Sequence, residues 1–128
     1  ELEIYKNAVI EIINLTIDCY LNTDEELARK IQALEEVIDQ INNTVKRNHL
    51  ARLSQRSCSV ESGFFLSELT TDYERVADHC SNISINVLQL FNGNVIEHGY
   101  AESLDMSLAN DLKKNIDIYS NKYPLTTK

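Results

Sequence analysis

At 128 residues the chain is long enough for one domain with a single modest core. Three glycines, one proline and no tryptophan leave few strand or turn signals, and Leu, Ile, Glu, Asp, Lys and Asn dominate, a composition of helices. A formal net charge of −8 argues against nucleic acid and anionic membrane surfaces as partners, since both select clustered Lys and Arg. It leaves cations or basic surfaces.

Cys19, Cys58 and Cys80 form no C-x-x-C and cannot all pair, which suits a reduced, intracellular setting. No signal peptide is visible. The stretch 79–96 carries no formal charge, but Ser81, Asn82, Ser84, Asn86, Gln89, Asn92 and Asn94 interrupt it, too much polarity for a membrane span. The chain opens on Glu1 and its single methionine is Met106, so it reads as a piece of a longer protein.

Four helices are predicted in chain order. The first spans about Leu2 to Leu21, with Val9, Ile12, Ile13, Cys19 and Tyr20 on its apolar face. Ile4, Leu15 and Ile17 widen that face, so burial on more than one side is expected. Thr23-Asp24-Glu25-Glu26 reads as a capping box, with Thr23 as the cap and Glu26 reaching back.

The second helix spans about Asp24 to Leu53, with a seam of Leu27, Ile31, Leu34, Ile38, Ile41 and Val45. The third begins between Ser59 and Phe64 and reaches about Phe91, repeating the same four-three spacing through Leu69, Tyr73, Val76, Cys80, Ile83, Val87 and Leu90. Sustained heptads with a short link between them predict long antiparallel helices. Asn92-Gly93-Asn94 is a C-cap signal, followed by a loop to about Tyr100. The fourth helix, about Ala101 to Lys122, carries Leu104, Leu108, Leu112, Ile116 and Tyr119 on one face and stops before Pro124. The expectation is all-α: one antiparallel helical bundle over residues 1–128, with no second domain.

Two acidic pairs stand out. Glu74 and Asp78 are one helical turn apart on the third helix, and Glu35 and Asp39 share that spacing on the second. With Tyr73 and Val76 in the seam, Glu74 and Asp78 are expected on the opposite side of the helix, and Asn82 extends their stripe. Asp39 points away from Ile38 and Ile41, with Glu35 on the flank beside Glu36. The pairs therefore belong to the outer surface near a groove between two helices. Like charges at this spacing cost a few tenths of a kcal/mol each, roughly, too little to demand a ligand. Glu68 and Asp72 form a third such pair on another face. The pairs are either a solvated acidic surface or a shared cation site. An all-oxygen set favours magnesium, calcium, manganese or ferric iron over zinc or copper. His79 could add a nitrogen ligand, His49 and His98 have no partner pattern, and Cys58 and Cys80 read as small apolar fillers.

Several enzymes are excluded by what is missing. None of the three histidines follows a glutamate at the Glu-x-x-His spacing of core di-iron bundles. There is no H-E-x-x-H, no G-x-S-x-G and no glycine-rich phosphate loop. The reading is of a protein that is not an enzyme.

The run Glu74-Arg75-Val76-Ala77-Asp78-His79-Cys80-Ser81-Asn82-Ile83 resembles the signature of PhoU domains. It is most similar to the version that follows the membrane region of bacterial Na/Pi cotransporters. His49-Leu50-Ala51-Arg52-Leu53, then Cys58 and Gly63, is similar to that version too, as is Tyr119-Ser120-Asn121-Lys122-Tyr123-Pro124-Leu125. The resemblance covers most of the chain and is strongest over residues 31–90.

It implies a PhoU-like three-helix repeat, here with an additional C-terminal helix. It also implies a surface metal site, carried over onto Glu35, Asp39, Glu74 and Asp78. A full PhoU protein has two repeats, and one pair of motifs is present here. The function implied is a cytoplasmic, non-catalytic regulatory domain of a sodium-dependent phosphate transporter. The membrane region of the same protein would be its partner, on the cytoplasmic side of the cell membrane, with the fragment itself not inserted. Homo-oligomers are compatible with this. The alternatives are part of a free-standing PhoU-type regulator of phosphate uptake and signalling, and a metal-free helical adaptor whose acidic face binds a basic partner.

Overall fold

The computed structural model describes residues 1–92 and 106–125. Its described residues form four helices, α1 (Leu2–Asn22), α2 (Glu25–Ser54), α3 (Val60–Asn92) and α4 (Met106–Lys122), and no strand. The all-α expectation holds. The expected cap at Gly93 and Asn94, the loop to Tyr100, the start of the fourth helix at Ala101, Leu104 and His98 lie outside the described residues.

Both hairpin turns are built without glycine. Thr23 adopts a left-handed conformation (φ 50°), and the Asp24 amide donates back to Cys19 O at 3.1 Å. Arg56 does the same (φ 54°), with Ser57 N donating to Arg52 O at 2.9 Å and Arg56 N to Leu53 O at 3.0 Å. These six-to-one bonds are Schellman closures, which satisfy carbonyls that the helix end leaves free. The capping-box expectation is corrected accordingly. Thr23 closes α1, and Asp24 caps α2 by accepting from Leu27 N at 3.0 Å.

Helix α2 is the centre of the fold and packs against α1, α3 and α4. Its predicted seam is buried, with Leu27 partly so, and Ala28, Ala33 and Val37 add burial on other sides. Contacts fix the directions. Glu1 accepts from Asn48 Nδ2 at 2.7 Å and from Arg52 Nη1 at 2.9 Å, so α1 begins where α2 ends. Gln32 meets Ser81 and Ser84, whereas His49 meets Gly63, so α2 and α3 are antiparallel. Tyr5 stacks edge-on against Tyr73 with ring centroids 5.0 Å apart, and α1 and α3 run parallel.

Helix α3 buries most of its predicted seam, with Cys80 and Val87 in the core and Tyr73 and Val76 packed against it, but Ile83 is 39% exposed and Leu90 74% exposed. Thr70, Ala77, Ser81, Ser84 and Leu88 add a buried stripe that the heptads do not predict. Small side chains let α2 and α3 approach closely, and Gln32 Nε2 satisfies the polar ones, donating to Ser81 O (3.0 Å), Ser81 Oγ (2.9 Å) and Ser84 Oγ (2.6 Å). Helix α1 is corrected too. Tyr5, Ala8, Val9, Ile12, Thr16 and Cys19 are buried, but Ile10, Ile13, Ile17 and Tyr20 are exposed, so one side is covered and the other is open. On α4, Leu112, Ile116 and Tyr119 pack against the core as expected. No described helix is long and apolar enough to cross a membrane.

Candidate functional site

The carboxylates meet along the groove between α2 and α3. On α2, Glu35, Asp39, Asn42 and Lys46 follow one another at steps of four, three and four, which places them on one stripe. On α3, Glu74 and Asp78 flank the buried Ala77 and Ser81. They are therefore at the edge of the α2 contact rather than opposite it, because the core face of α3 widens from its heptads to include Ala77 and Ser81. Glu74 is half-buried and Asp78 exposed.

Polar contacts hold this edge together. Asn42 Nδ2 donates to Glu74 Oε2 at 2.5 Å, and Lys46 Nζ lies 3.4 Å from the same oxygen. Asn42 is buried, and its Oδ1 has no hydrogen-bond partner. Sequence reasoning passed over Asn42 and Lys46. The signal was available in their shared spacing with Glu35 and Asp39.

Electrostatics show that the four acids sense one another. Burial pushes the Glu35 carboxyl up to about 7, reinforced by the charges of Asp39, Asp78 and Glu36. Asp39 is raised by burial and then by Glu74, Asp78 and Glu36, with Lys46 working in the opposite direction. Even the Tyr5 hydroxyl on α1 is raised, by burial first and then by Glu74 and Asp39. The arrangement is a pocket of excess negative potential with one amide donor and one ammonium in attendance. It can accept a cation or a proton.

All-oxygen donors with mutual repulsion fit a hard multivalent ion chemically. The side chains are not drawn into a coordination shell. Among the described residues no three of His, Cys, Asp and Glu stand close enough together to hold a metal ion. His79 is exposed and sits one residue along the helix from Asp78, about 100° around its axis. Glu68 and Asp72 are exposed as well.

A second polar cluster lies at the α2–α3 turn. His49 is buried, its Nδ1 is 3.8 Å from Cys58 Sγ, and its Nε2 has no hydrogen-bond partner. A Cβ on Gly63 would stand 2.8 Å from that Nε2. The glycine is therefore needed for the imidazole to fit beneath α3, which gives His49, Cys58 and Gly63 a common packing role. Cys58 is half-buried, Cys19 and Cys80 are buried, and all three thiols are free.

Comparison with known proteins agrees with this geometry. The family model for the PhoU domain matches residues 2–87, which run from the first residue of α1 to near the end of α3 and include both acidic pairs. The chain is similar to the phosphate-specific transport system accessory protein PhoU homolog 1 of Thermotoga maritima, with 23% identity over 93 residues. That alignment covers 73% of this chain and 40% of the relative. It is also similar to the phosphate-specific transport system accessory protein PhoU homolog of Xylella fastidiosa, 30% identical over 74 residues, covering 58% of this chain and 31% of the relative. The chain thus spans well under half the length of these curated relatives. No solved structure matches it. With three matched helices and a family model covering most of its length, the chain belongs to the PhoU domain family.

Proposed function

We propose that the chain is a regulatory, non-catalytic domain in phosphate uptake, acting on the cytoplasmic side of the cell membrane as part of a sodium-dependent phosphate transporter. The observation that carries the reading is the motif Glu74–Ile83 placed on the α2/α3 edge of a PhoU three-helix unit. The relatives' names, accessory proteins of phosphate-specific transport, support the phosphate role. The transporter assignment draws on the resemblance at His49, Cys58 and Gly63, residues that share one packing cluster.

The test is sodium-dependent phosphate uptake by the parent protein, intact and with this domain deleted. Uptake by the intact protein should respond to phosphate supply, and deletion should abolish that response while transport persists. A parent gene with no membrane segments would move the assignment to a free-standing regulator of phosphate uptake, the second reading.

A hard cation in the α2/α3 groove belongs to the same proposal. Glu35, Asp39, Glu74 and Asp78 would hold it, and the ion would supply positive charge where four carboxylates now repel one another. Iron, manganese, magnesium and calcium are the candidates. Metal analysis of purified protein after supplementation should find one of them bound. The Glu74→Ala/Asp78→Ala variant should lose it with helical content unchanged. Protein that stays metal-free throughout points instead to an adaptor whose acidic face binds a basic partner.

A further inference from the structure

Cys58 differs from the other two thiols in its surroundings. Cys19 is fully buried, its Sγ donates to Asp24 O at 3.3 Å, and burial pushes its thiol up. Cys80 is buried inside the hydrophobic core. Cys58 is half-buried at the α2–α3 turn, and His49 Nδ1 stands 3.8 Å from its Sγ. A thiol with an imidazole against it is an arrangement for nucleophilic chemistry.

The far side of the ring fixes what His49 offers. His49 is 9% exposed, and its Nε2 is shut against Gly63 without a partner. An orphaned buried N–H is rarer in folded proteins than an unfilled acceptor. The proton of the neutral ring therefore belongs on Nδ1, the nitrogen that faces sulfur. His49 thus aims a donor at Cys58, able to hold negative charge as it develops there.

Two further features act in the same direction. Ser59 Oγ accepts from Ser62 N at 3.2 Å and caps α3, so Cys58 lies one residue outside the positive end of that helix. From Gln40 to Val60 the sequence holds no Asp or Glu, but it holds Lys46, Arg47, Arg52 and Arg56. Lys46 and Arg52 pair with Glu74 and Glu1, while Arg47 and Arg56 are exposed. The turn is basic within a chain of net charge −8.

We propose that Cys58 is a reactive thiol that hydroperoxides oxidise, with His49 as its positioning residue. The sulfur releases its proton to solvent and attacks the terminal oxygen of the peroxide. An S–O bond forms as the O–O bond breaks, and the leaving oxygen takes up a proton from solvent. Sulfur loses two electrons and the peroxide gains them, giving the Cys58 sulfenic acid and an alcohol, or water from hydrogen peroxide. The inference is independent of the phosphate reading.

Hydrogen peroxide with dimedone, which traps sulfenic acids, tests it on the purified chain by peptide mass spectrometry. The adduct should form on Cys58 at least about tenfold faster than on Cys19 or Cys80, and about tenfold faster than on a peptide of residues 53–63. His49→Ala should slow Cys58 by about the same factor. His49→Asn, whose amide can present an N–H near the position of Nδ1, should restore part of the rate, as a merely structural role would not. Labelling of Cys19 and Cys80 would reveal a variant that fails to fold, and the wild type against the peptide then decides. Native Cys58 that reacts no faster than the peptide, or equal labelling of all three thiols, would overturn the proposal. So would undiminished labelling of Cys58 in a folded His49→Ala chain.

Discussion

Asn42 Nδ2 donates to Glu74 Oε2 at 2.5 Å across the α2/α3 groove, while Asn42 Oδ1 is buried without a partner. One amide thus serves a carboxylate on its donor side and is left unsatisfied on its acceptor side. An unpaired buried carbonyl typically costs about 1–3 kcal/mol, so the contact with Glu74 offsets part of a penalty that the groove already carries.

Asn42→Asp keeps the shape and reverses the chemistry, setting a carboxylate against Glu74. The pair would disfavour ionisation in the folded state, so the folded pKa would lie above the unfolded one. The penalty is then present above the unfolded carboxylate range and is lost as pH falls through the raised folded value. Urea unfolding should show Asn42→Asp less stable than wild type by about 1–3 kcal/mol at pH 8, with the gap narrowing at pH 5. Equal destabilisation at both pH values would mean that packing, not charge, is at stake.

Glu35 supplies a pH dependence in the wild type. Its carboxyl is pushed from an ordinary 4.5 up to about 7 by burial and by Asp39, Asp78 and Glu36. The folded state therefore holds this proton more tightly than the unfolded state. Stability from this group falls as pH rises from about 4.5 to about 7 and is level beyond. Glu35→Gln should stabilise the protein at pH 8 by about 1–2 kcal/mol, after allowing for solvent screening of a half-buried group. The gain should vanish below pH 4.5, the ordinary value of the group. Thermal melts of both proteins across pH would show it, and parallel curves would contradict it.

Much of this was legible in the residues, and the exceptions have physical causes. The α2 seam was readable because a central helix is buried on several sides, so any consistent apolar spacing falls on a covered face. On α3, Tyr73, Val76, Cys80 and Val87 were legible as core, but the second buried stripe was not, because Ala77, Ser81 and Ser84 carry little apolar weight and owe their burial to close approach and to Gln32. On α1, Ile13 and Ile17 look like core residues and are exposed. Apolarity alone does not distinguish a fold's own core from an exposed apolar face. The acidic pairs were recognisable from spacing alone. Asn42 shares their spacing, but its hydrogen bond to Glu74 was not legible, since that depends on a residue of another helix.

Gly63 offers a direct check on the α2–α3 turn. A Cβ there would sit 2.8 Å from Nε2 of the buried His49. Gly63→Ala gains roughly 1 kcal/mol of helix propensity, but overpacking costs about 1–3 kcal/mol, so a net loss is expected. Pairing it with His49→Ala should recover part of that loss, because the added methyl then enters the space the ring vacates. A double-mutant cycle by urea unfolding would measure the coupling. Independent, additive effects would show that the glycine and the histidine are not in conflict.

The two left-handed turn residues allow the opposite kind of test, a gain. Thr23 at φ 50° and Arg56 at φ 54° hold conformations that cost a residue with a Cβ roughly 1–2 kcal/mol. Thr23 is β-branched, which makes its position the more strained of the two. Glycine removes that cost but adds about 0.4–1 kcal/mol of unfolded-state entropy. Thr23→Gly should therefore stabilise the protein by about 0.5–1 kcal/mol, and Arg56→Gly by less. The Thr23 side chain makes no hydrogen bond that the glycine would forfeit among those described, since Asp24 is the cap of α2. Denaturant midpoints should shift upward for both variants with unchanged slope. A downward shift for Thr23→Gly would mean that the left-handed turn costs less than the entropy glycine adds, and that the threonine is well suited to its place.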